Sequence, residues 1–168
     1  MNNLTSFLPK TYIDLKDINP NIFNVNKIFF LKNIYSNGGN NVYVVNSFES
    51  MNKIINKEYS KYILQEEVNN MLLIDGYKTT LRIYVLITDK KEIFLYKNGK
   101  VYVYKTKYTR ESTDNKIHND VYDSVKYENY TDADYYEKTF DKIKDICFLS
   151  IRPFIIDKYF NEKYIILG

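Results

Sequence analysis

A lysine followed closely by two glycines is the first feature of the sequence that could bind a charged ligand. Lys32 lies near the end of an apolar run at residues 27–33, and Gly38 and Gly39 lie in the turn that follows, before a second apolar run begins at Val42. Such a turn can bring backbone N–H groups against phosphate oxygens while the lysine supplies positive charge. Taken alone the pattern is weak, because most glycine turns between two strands only reverse the chain.

A second segment and a third add groups that suit a nucleotide. Residues 65–68 (Q-E-E-V) end an apolar run, where exposed backbone groups could pair with a purine, although this feature has no specificity by itself.

Lys78 and Arg82 lie in a β-branched and aromatic run at residues 78–88. Side chains alternate along a strand, which predicts one polar face and one apolar face. The polar face would hold Lys78, Thr80, Arg82 and Tyr84, and the apolar face Leu81, Ile83 and Val85. A strand face with both cations suits an anionic ligand such as a triphosphate.

The hydrophobic pattern predicts the elements that must position these residues. Strands are predicted at residues 27–33, 42–46, 62–68, 71–74, 78–88, 92–96, 100–104 and 164–167, and helices at 48–59 and 134–150. Ser47 is a predicted N-cap, Asp75 and Gly76 form a tight turn, and residues 97–99 (K-N-G) form the turn of a second hairpin. Pro153 can begin a further helical segment but would break a continuous helix. Because strands precede helices, the predicted class is α+β.

The spacing of the three segments resembles that of a known family. At residues 28–46, F-F-L-K-N and N-G-G-N-N-V stand where that family has W-I-x-K-P and a basic glycine loop ending G-x-G-I. Residues 65–76 (Q-E-E-V-N-N-M-L-L-I-D-G) resemble Q-K-Y-I-x-x-P-L-L-I-x-G without a gap. Residues 78–86 (K-T-T-L-R-I-Y-V-L) resemble K-F-D-L-R-x-Y-V-L, the most diagnostic stretch. The family is that of the tubulin-tyrosine ligase-like enzymes, a branch of the ATP-grasp superfamily. The resemblance begins at residues 8–12 (L-P-K-T-Y) and covers most of the chain to residue 105.

The resemblance implies an ATP-grasp-like α+β fold, with antiparallel or mixed sheets and packed helices, and ATP with Mg²⁺ as cofactors. It implies that Lys32, Gly38 and Gly39 contact the phosphates, and that Gln65 and the backbone of Glu66 to Val68 hold the adenine. Lys78 would also reach the nucleotide, and Arg82 would bind the γ-phosphate or the acyl-phosphate intermediate. Lys78 and Arg82 would be the catalytic residues. The family joins an amino acid to a protein carboxylate or amine, so tubulin or another protein acceptor is the expected partner.

The sequence also departs from the family pattern. Asn40 and Asn41 replace the basic residue and last glycine of the loop, and Thr80 replaces the strand carboxylate. The Asp strand and E-x-N that ligate Mg²⁺ in the family have no counterpart before Gly168, so no metal ligand is predicted. We therefore expect one shortened module over residues 1–168, with a small nucleotide lobe at 1–68 and an incomplete larger lobe at 69–168, and no catalysis by this chain alone.

Three interpretations stay open at this point. The chain is either an ATP-dependent ligase, including a part of one completed by another chain, or a non-catalytic descendant of the fold that binds a protein partner. A structural protein with coincidental motifs is the least favoured. The DNA downstream of the Gly168 codon would separate a split gene from a repurposed one.

Composition excludes several other classes of protein. Lys, Asn, Ile and Tyr make up 79 of the 168 residues, a bias that A/T-rich codons explain, so lysine content says little about ligands. The net charge of +3 is mild and the charges are interspersed, which argues against a nucleic-acid binder. No stretch reaches the ~20 apolar residues of a membrane span, and residues 1–20 lack the apolar core of a signal peptide. A single cysteine excludes an internal disulfide, so a cytoplasmic setting is expected.

Two isolated residues receive ordinary interpretations. His118 lies in a polar stretch without a second metal-ligand partner, and a solvated side chain is expected. Residues 118–120 (H-N-D) are at best a remnant of the family's H-L-T-N. Cys147 falls on the apolar side of the predicted helix, where a small buried hydrophobic residue is expected rather than a nucleophile.

Overall fold

The computed structural model describes residues 8–24, 27–36, 40–110, 112–114, 118, 126–129, 136–156 and 164–167. The strands are β1 (Thr11–Tyr12), β2 (Phe29–Asn33), β3 (Val42–Val45), β4 (Tyr62–Glu66), β5 (Leu73–Ile74), β6 (Tyr77–Arg82), β7 (Val85–Thr88), β8 (Ile93–Leu95), β9 (Lys100–Lys107), β10 (Lys126–Asn129) and β11 (Tyr164–Leu167). The helices are α1 (Phe48–Ile55) and α2 (Tyr136–Ile156), with 3-10 turns at Pro20–Asn24 and Tyr59–Lys61. The described part of the chain is therefore α+β, as predicted.

The strands form three sheets. Their strand orders are β1-β4-β2-β3, β10-β9-β6-β5 and β11-β7-β8. The described chain divides into two compact units. The first unit consists of the described residues within Leu8–Lys78 and Tyr104–Ser124, and the second of those within Thr79–Val103 and Val125–Gly168. The division into lobes at residue 68 stays a prediction. Neither α1 nor α2 is long and apolar enough to cross a membrane.

The first sheet packs one face against α1. Antiparallel pairing of β2 with β3 confirms the first predicted hairpin, with Lys32 opposite Val42, and β4 pairs with the other edge of β2. Leu31 and Leu64 point to the helix side, where both are fully buried together with Met51 of α1. This apolar face fixes which side chains of β2 and β4 point the opposite way, because the two faces alternate.

The ends of α1 are set by local hydrogen bonds. The hydroxyl of Ser47 accepts from the backbone N–H of Ser50, which confirms the predicted N-cap. The helix ends at Ile55 rather than at residue 59, since Asn56 has a φ of 46° and its N–H donates to the carbonyl of Asn52. Asparagine tolerates this left-handed conformation better than most residues, so it can end a helix as glycine does.

The predicted continuous strand at residues 78–88 is wrong. β6 ends at Arg82 and β7 begins at Val85, and the two strands belong to different sheets. The chain is interrupted where Gly99 approaches it, since a Cβ at position 99 would lie 2.5 Å from the carbonyl oxygen of Arg82 and 2.5 Å from Cδ1 of Ile83. The predicted alternation of faces from Lys78 to Tyr84 therefore holds only as far as Arg82.

The predicted hairpin around residues 97–99 is also wrong. β8 pairs with β7, whereas β9 belongs to the sheet of β6 and β10. The residues between β8 and β9 therefore connect two different sheets and do not form the turn of a hairpin. The turn at Asp75 and Gly76 is confirmed, because both have positive φ, 53° and 83°, and β5 pairs with β6 across it.

Helix α2 is longer than predicted and runs through Pro153. Ile151, in the C-terminal part of the helix, packs with Val85 and Ile87 of β7 in a buried cluster. Burial of this cluster holds the helix against the sheet, which offsets the hydrogen bond that the proline cannot donate. Cys147 packs against the same cluster, as expected of a small hydrophobic residue, and burial raises the pKa of its thiol.

Replacing Gly99 by alanine should destabilise the protein, because the new methyl group has no room beside the Arg82 carbonyl. We expect the free energy of unfolding to fall by about 1–3 kcal/mol, the usual cost of overpacking, as measured by urea denaturation. Gly76→Ala is the comparison, since no atom lies within 4 Å of the Cβ position there and the positive φ of Gly76 means that this variant loses stability through backbone strain alone. Unchanged stability of the Gly99→Ala protein would show that close packing at Gly99 is not required.

Candidate functional site

The face of the first sheet that points away from α1 is polar. Phe30 and Lys32 point to it, because they alternate with the buried Phe29 and Leu31 along β2. The ammonium of Lys32 donates to Oε1 of Gln65 on β4 at 2.6 Å. We call the surface formed by Phe30, Lys32 and Gln65 the polar face. It brings together two of the residues predicted to contact a nucleotide.

The polar face extends to β1 through the same glutamine. Nε2 of Gln65 donates to the hydroxyl of Thr11 at 2.9 Å, and these residues are paired across β1 and β4. Two hydrogen bonds therefore orient the Gln65 amide: its oxygen accepts from Lys32 and its nitrogen donates to Thr11. Its carbonyl oxygen is held toward Lys32, which fixes where the ammonium lies.

Lys78 reaches the polar face from β6. Its ammonium donates to the backbone carbonyl of His118 at 2.6 Å and lies over the rings of Tyr104 and Phe30, at 4.9 and 5.6 Å from their centroids. Aromatic faces attract cations, and the carbonyl accepts one of the three N–H groups. Lys78, a predicted site residue, therefore lies at the polar face together with Lys32. Tyr104 was not among the predicted site residues.

The positive charges of Lys32 and Lys78 are not balanced by a carboxylate among the described residues. Burial lowers the pKa of Lys32. Burial, together with the positive charge of Lys32, lowers the pKa of Lys78 to about 8. Within the described part of the chain, neither ammonium forms an ion pair with a carboxylate. Two partly buried cations on one face without a counter-charge favour an anionic ligand, because an anion can accept hydrogen bonds from ammonium groups.

His118 is fully buried, so the expectation of a solvated histidine is wrong. Its Nε2 lies 2.7 Å from the carbonyl of Ser112 and donates to it, while Nδ1 finds no partner among the described residues. Burial lowers the pKa of the ring, which favours the neutral form. The ring packs edge-on against Phe30 and Tyr108. This packing fixes the carbonyl that holds Lys78, a role that no local motif in the sequence indicated.

The predicted adenine hinge follows Gln65 along the chain. The backbone N–H groups of Glu66 and Glu67 donate to the carbonyls of Lys10 and Ile28, at 2.9 and 3.3 Å. These two groups are therefore engaged by the chain itself. Val68 comes next and is half exposed.

The Glu66 carboxylate is also engaged. It accepts from the hydroxyl of Tyr12 at 2.9 Å and from the ammonium of Lys27 at 3.0 Å. Burial alone would raise the pKa of Glu66, but these two hydrogen bonds outweigh it and lower the pKa. The side chain of Glu66 thus fastens the end of β4 to the preceding segment rather than facing a ligand.

Glu67 carries a buried carboxylate, with only 2% of its side chain exposed. Nε and an Nη group of Arg110 both donate to its Oε1, at 3.0 and 2.8 Å. The pair borders a cleft of about 450 Å³, a volume typical of small-ligand sites, that is also lined by Val68 and Tyr108. Sequence reasoning missed Arg110, although one of only three arginines among 21 lysines is a residue that codon bias does not explain.

The remaining predicted site residues lie elsewhere. Arg82 belongs to the second unit, where it is exposed and its guanidinium lies 5.7 Å from the centroid of the Tyr102 ring. Gly38 and Gly39 lie outside the described residues. The parts assigned to Arg82 and to the glycines stay predictions. Thr80 is exposed on β6, within the second unit.

A metal ion is a separate question from the nucleotide. The described residues contain no group of three or more His, Cys, Asp or Glu side chains that could hold one. The charged groups that the described residues bring to the polar face are its two lysines.

Comparison with known proteins agrees with the motifs. The family model "Tubulin-tyrosine ligase family" matches residues 2–145. A probable beta-tubulin polyglutamylase of Tetrahymena thermophila is 31% identical over 113 residues. That match covers 66% of this chain and 9% of the relative, so the chain spans a small fraction of that protein's length.

Replacing Lys78 by methionine should stabilise the protein in the absence of a ligand. The lysine has a pKa near 10.5 when unfolded and about 8 when folded, so the unfolded chain holds the proton more tightly. The penalty is fully present below pH 8 and disappears as pH rises from 8 to 10.5. We expect Lys78→Met to raise the free energy of unfolding by about 1–2 kcal/mol at pH 7 and by less at pH 9.

Urea denaturation at both pH values measures this effect. Lys53→Met on α1, which replaces an exposed lysine, is the control and should change little at either pH. A destabilised Lys78→Met protein would mean that the contacts with His118, Tyr104 and Phe30 outweigh the cost of burying the charge.

Proposed function

The chain belongs to the tubulin-tyrosine ligase family, and we propose that it is a nucleotide-binding module with an ATP-grasp-like fold that serves amino-acid–protein ligation. The observation that carries this proposal is the meeting of Lys32 and Lys78 at the polar face without a carboxylate partner among the described residues. The family uses ATP, and a polyphosphate is the anion that suits this pair. Tubulin, or another protein with an accessible carboxylate or amine, is the proposed acceptor.

The proposed nucleotide site has a phosphate end and a base end. The ammonium groups of Lys32 and Lys78 would bind phosphate oxygens, and phosphate would replace Gln65 as a partner of Lys32. The base would lie in the cleft beside Val68, because the N–H groups of Glu66 and Glu67 are already engaged. Tyr108 contributes to both ends, since it lines this cleft and packs against His118.

Each residue has a distinct part in the proposed chemistry. ATP supplies the phosphoryl group that activates a carboxylate for attack by an amine. Lys32 and Lys78 would neutralise and orient the phosphates, which is the main protein contribution to phosphoryl transfer. His118 acts as a positioning residue, because its carbonyl holds the Lys78 ammonium at 2.6 Å. Arg82 is proposed to bind the γ-phosphate or the acyl phosphate.

ATP should bind the chain weakly, with a dissociation constant in the tens of micromolar, or about −6 kcal/mol. We expect Lys32→Met and Lys78→Met each to weaken binding by about tenfold or more, because each removes a charge-assisted hydrogen bond. Lys53→Met, an exposed site on α1, is the matched control and should bind as the unaltered chain does. Isothermal titration calorimetry with ATP measures all four proteins.

The affinity should also depend on pH. The free Lys78 loses its proton near pH 8, so the affinity should fall by about tenfold between pH 7 and 9. Lys78→Arg keeps its charge over this range and should remove most of the dependence. Absence of heat with millimolar ATP, or an equal affinity in Lys78→Met, would contradict the proposed nucleotide site.

Thr80 favours a second candidate function, a non-catalytic descendant that retains the fold and binds a protein partner. This residue stands where the family has a carboxylate on the strand between lysine and arginine. For the 168-residue chain alone we expect nucleotide binding without ligation. An ADP-release assay with Mg²⁺, mixed amino acids and tubulin tests this expectation. Turnover above background that disappears in Lys78→Met would instead show an active ligase.

A further inference from the structure

One buried carboxylate holds the segment that follows β9 against the end of β4. The side chain of Glu67 is only 2% exposed, and Nε and an Nη group of Arg110 both donate to its Oε1. The same Nη group lies 3.4 Å from Oδ1 of Asn69. A buried carboxylate needs a well-placed cation, and the guanidinium presents its N–H donors in one rigid plane. Arg110 is therefore anchored at a point 43 residues away along the chain.

Hydrogen bonds extend this anchor from Arg110 to His118. The N–H of Ser112 donates to the carbonyl of Thr109 at 3.2 Å, and the Ser112 hydroxyl accepts from the N–H of Asp114 at 3.1 Å. The carbonyl of Ser112 accepts from Nε2 of the buried His118 at 2.7 Å. Because Arg110 lies between Thr109 and Ser112 in the sequence, the position of the Ser112 carbonyl depends on where the guanidinium is anchored.

His118 in turn holds Lys78. Its backbone carbonyl accepts from the Lys78 ammonium at 2.6 Å. Its ring packs edge-on against Tyr108 and Phe30, with ring centroids 5.4 and 5.8 Å away. The N–H of Tyr108 donates to the carbonyl of Gly76 at 2.9 Å, which fixes that ring beside the histidine. A continuous set of contacts within the first unit therefore joins the buried Glu67 carboxylate to the ammonium at the polar face.

We infer that Arg110 is a positioning residue for Lys78: by anchoring the segment after β9 to Glu67, it fixes the His118 carbonyl that holds the Lys78 ammonium. Arg110 acts through Ser112 and His118. The consequence for ligand binding rests on the proposed nucleotide function, whereas the placement of Lys78 can be measured without a nucleotide.

Loss of the anchor should expose the Lys78 ammonium to water. The charged and titratable side chains that the described residues place around it are Lys32 on β2, Tyr104 on β9 and His118. Burial, and after it the charge of Lys32, lowers the pKa of Lys78 to about 8. When the His118 carbonyl no longer holds the ammonium, water replaces it, and the pKa of Lys78 should rise toward its ordinary value.

NMR of the full chain with isotopically labelled lysine side chains measures this directly, and the Lys78 signal is identified by its absence from Lys78→Met. The double variant Glu67→Gln/Arg110→Met leaves no buried charge unpaired, so the fold should survive, which circular dichroism verifies. We expect its Lys78 to titrate about one pH unit or more above the unaltered chain. Glu58→Gln/Lys61→Met removes an exposed ion pair of the same unit and should leave the titration unchanged.

Binding of inorganic tripolyphosphate is the second measurement. This probe has the charge of the nucleotide phosphates but no base that Arg110 could contact at the cleft it lines. By calorimetry, the double variant should bind about fivefold more weakly than the unaltered chain at pH 7. Its affinity should change little between pH 7 and 9, where the unaltered chain should lose about tenfold.

An unchanged Lys78 titration in the folded double variant would overturn the inference, even where tripolyphosphate binds the unaltered chain. An equal shift in Glu58→Gln/Lys61→Met would also overturn it, because general loosening of the unit would then be the cause. A shifted titration without tripolyphosphate binding by any of the proteins would support the positioning role and contradict the nucleotide site instead.

A milder variant decides the matter if the double variant does not fold. Arg110→Lys keeps a charge beside Glu67 but loses the planar pair of N–H donors. It should fold and raise the Lys78 titration midpoint by a smaller amount. An unchanged midpoint in Arg110→Lys, beside an unfolded double variant, would show that the ion pair serves stability alone and would overturn the inference.

Discussion

Burial of the ammonium groups of Lys32 and Lys78, without a carboxylate partner among the described residues, is the constraint around which the first unit is built. Burial lowers the pKa of both lysines, and with the added positive charge of Lys32 the pKa of Lys78 falls to about 8. Such a pair raises the free energy of the folded chain unless an anion joins it. A protein keeps a costly arrangement of this kind where it serves binding, since stability and function often compete at a site.

The rest of the first unit holds the two cations in place. The apolar core between the first sheet and α1 fixes the direction of β2, and therefore the side from which Lys32 projects. Gln65 orients one ammonium, and the carbonyl of the buried His118 holds the other. The ion pair of the buried Glu67 carboxylate with the half-exposed Arg110 then ties the end of β4 to the residues that follow β9. These contacts join segments more than 30 residues apart, so the site forms only when the unit is folded.

The two units carry different surfaces. The first unit presents a concentrated positive charge, suited to a compact anion such as a phosphate. The second has an apolar groove of about 500 Å³ between β8 and α2, lined by Phe94 and Phe148 among others.

The sequence by itself determined the features that depend on neighbouring residues. The β2–β3 hairpin, the Ser47 cap, the Asp75–Gly76 turn, the α+β class and the family all follow from local patterns. Only the tertiary structure decided where distant segments meet. Gly99 approaches the chain closely where β6 ends at Arg82, and aromatic packing surrounds the buried His118. Arg110 pairs with a carboxylate 43 residues away. Backbone propensity acts over a few residues, whereas close packing and ion pairs between distant segments depend on contacts that propensity does not describe.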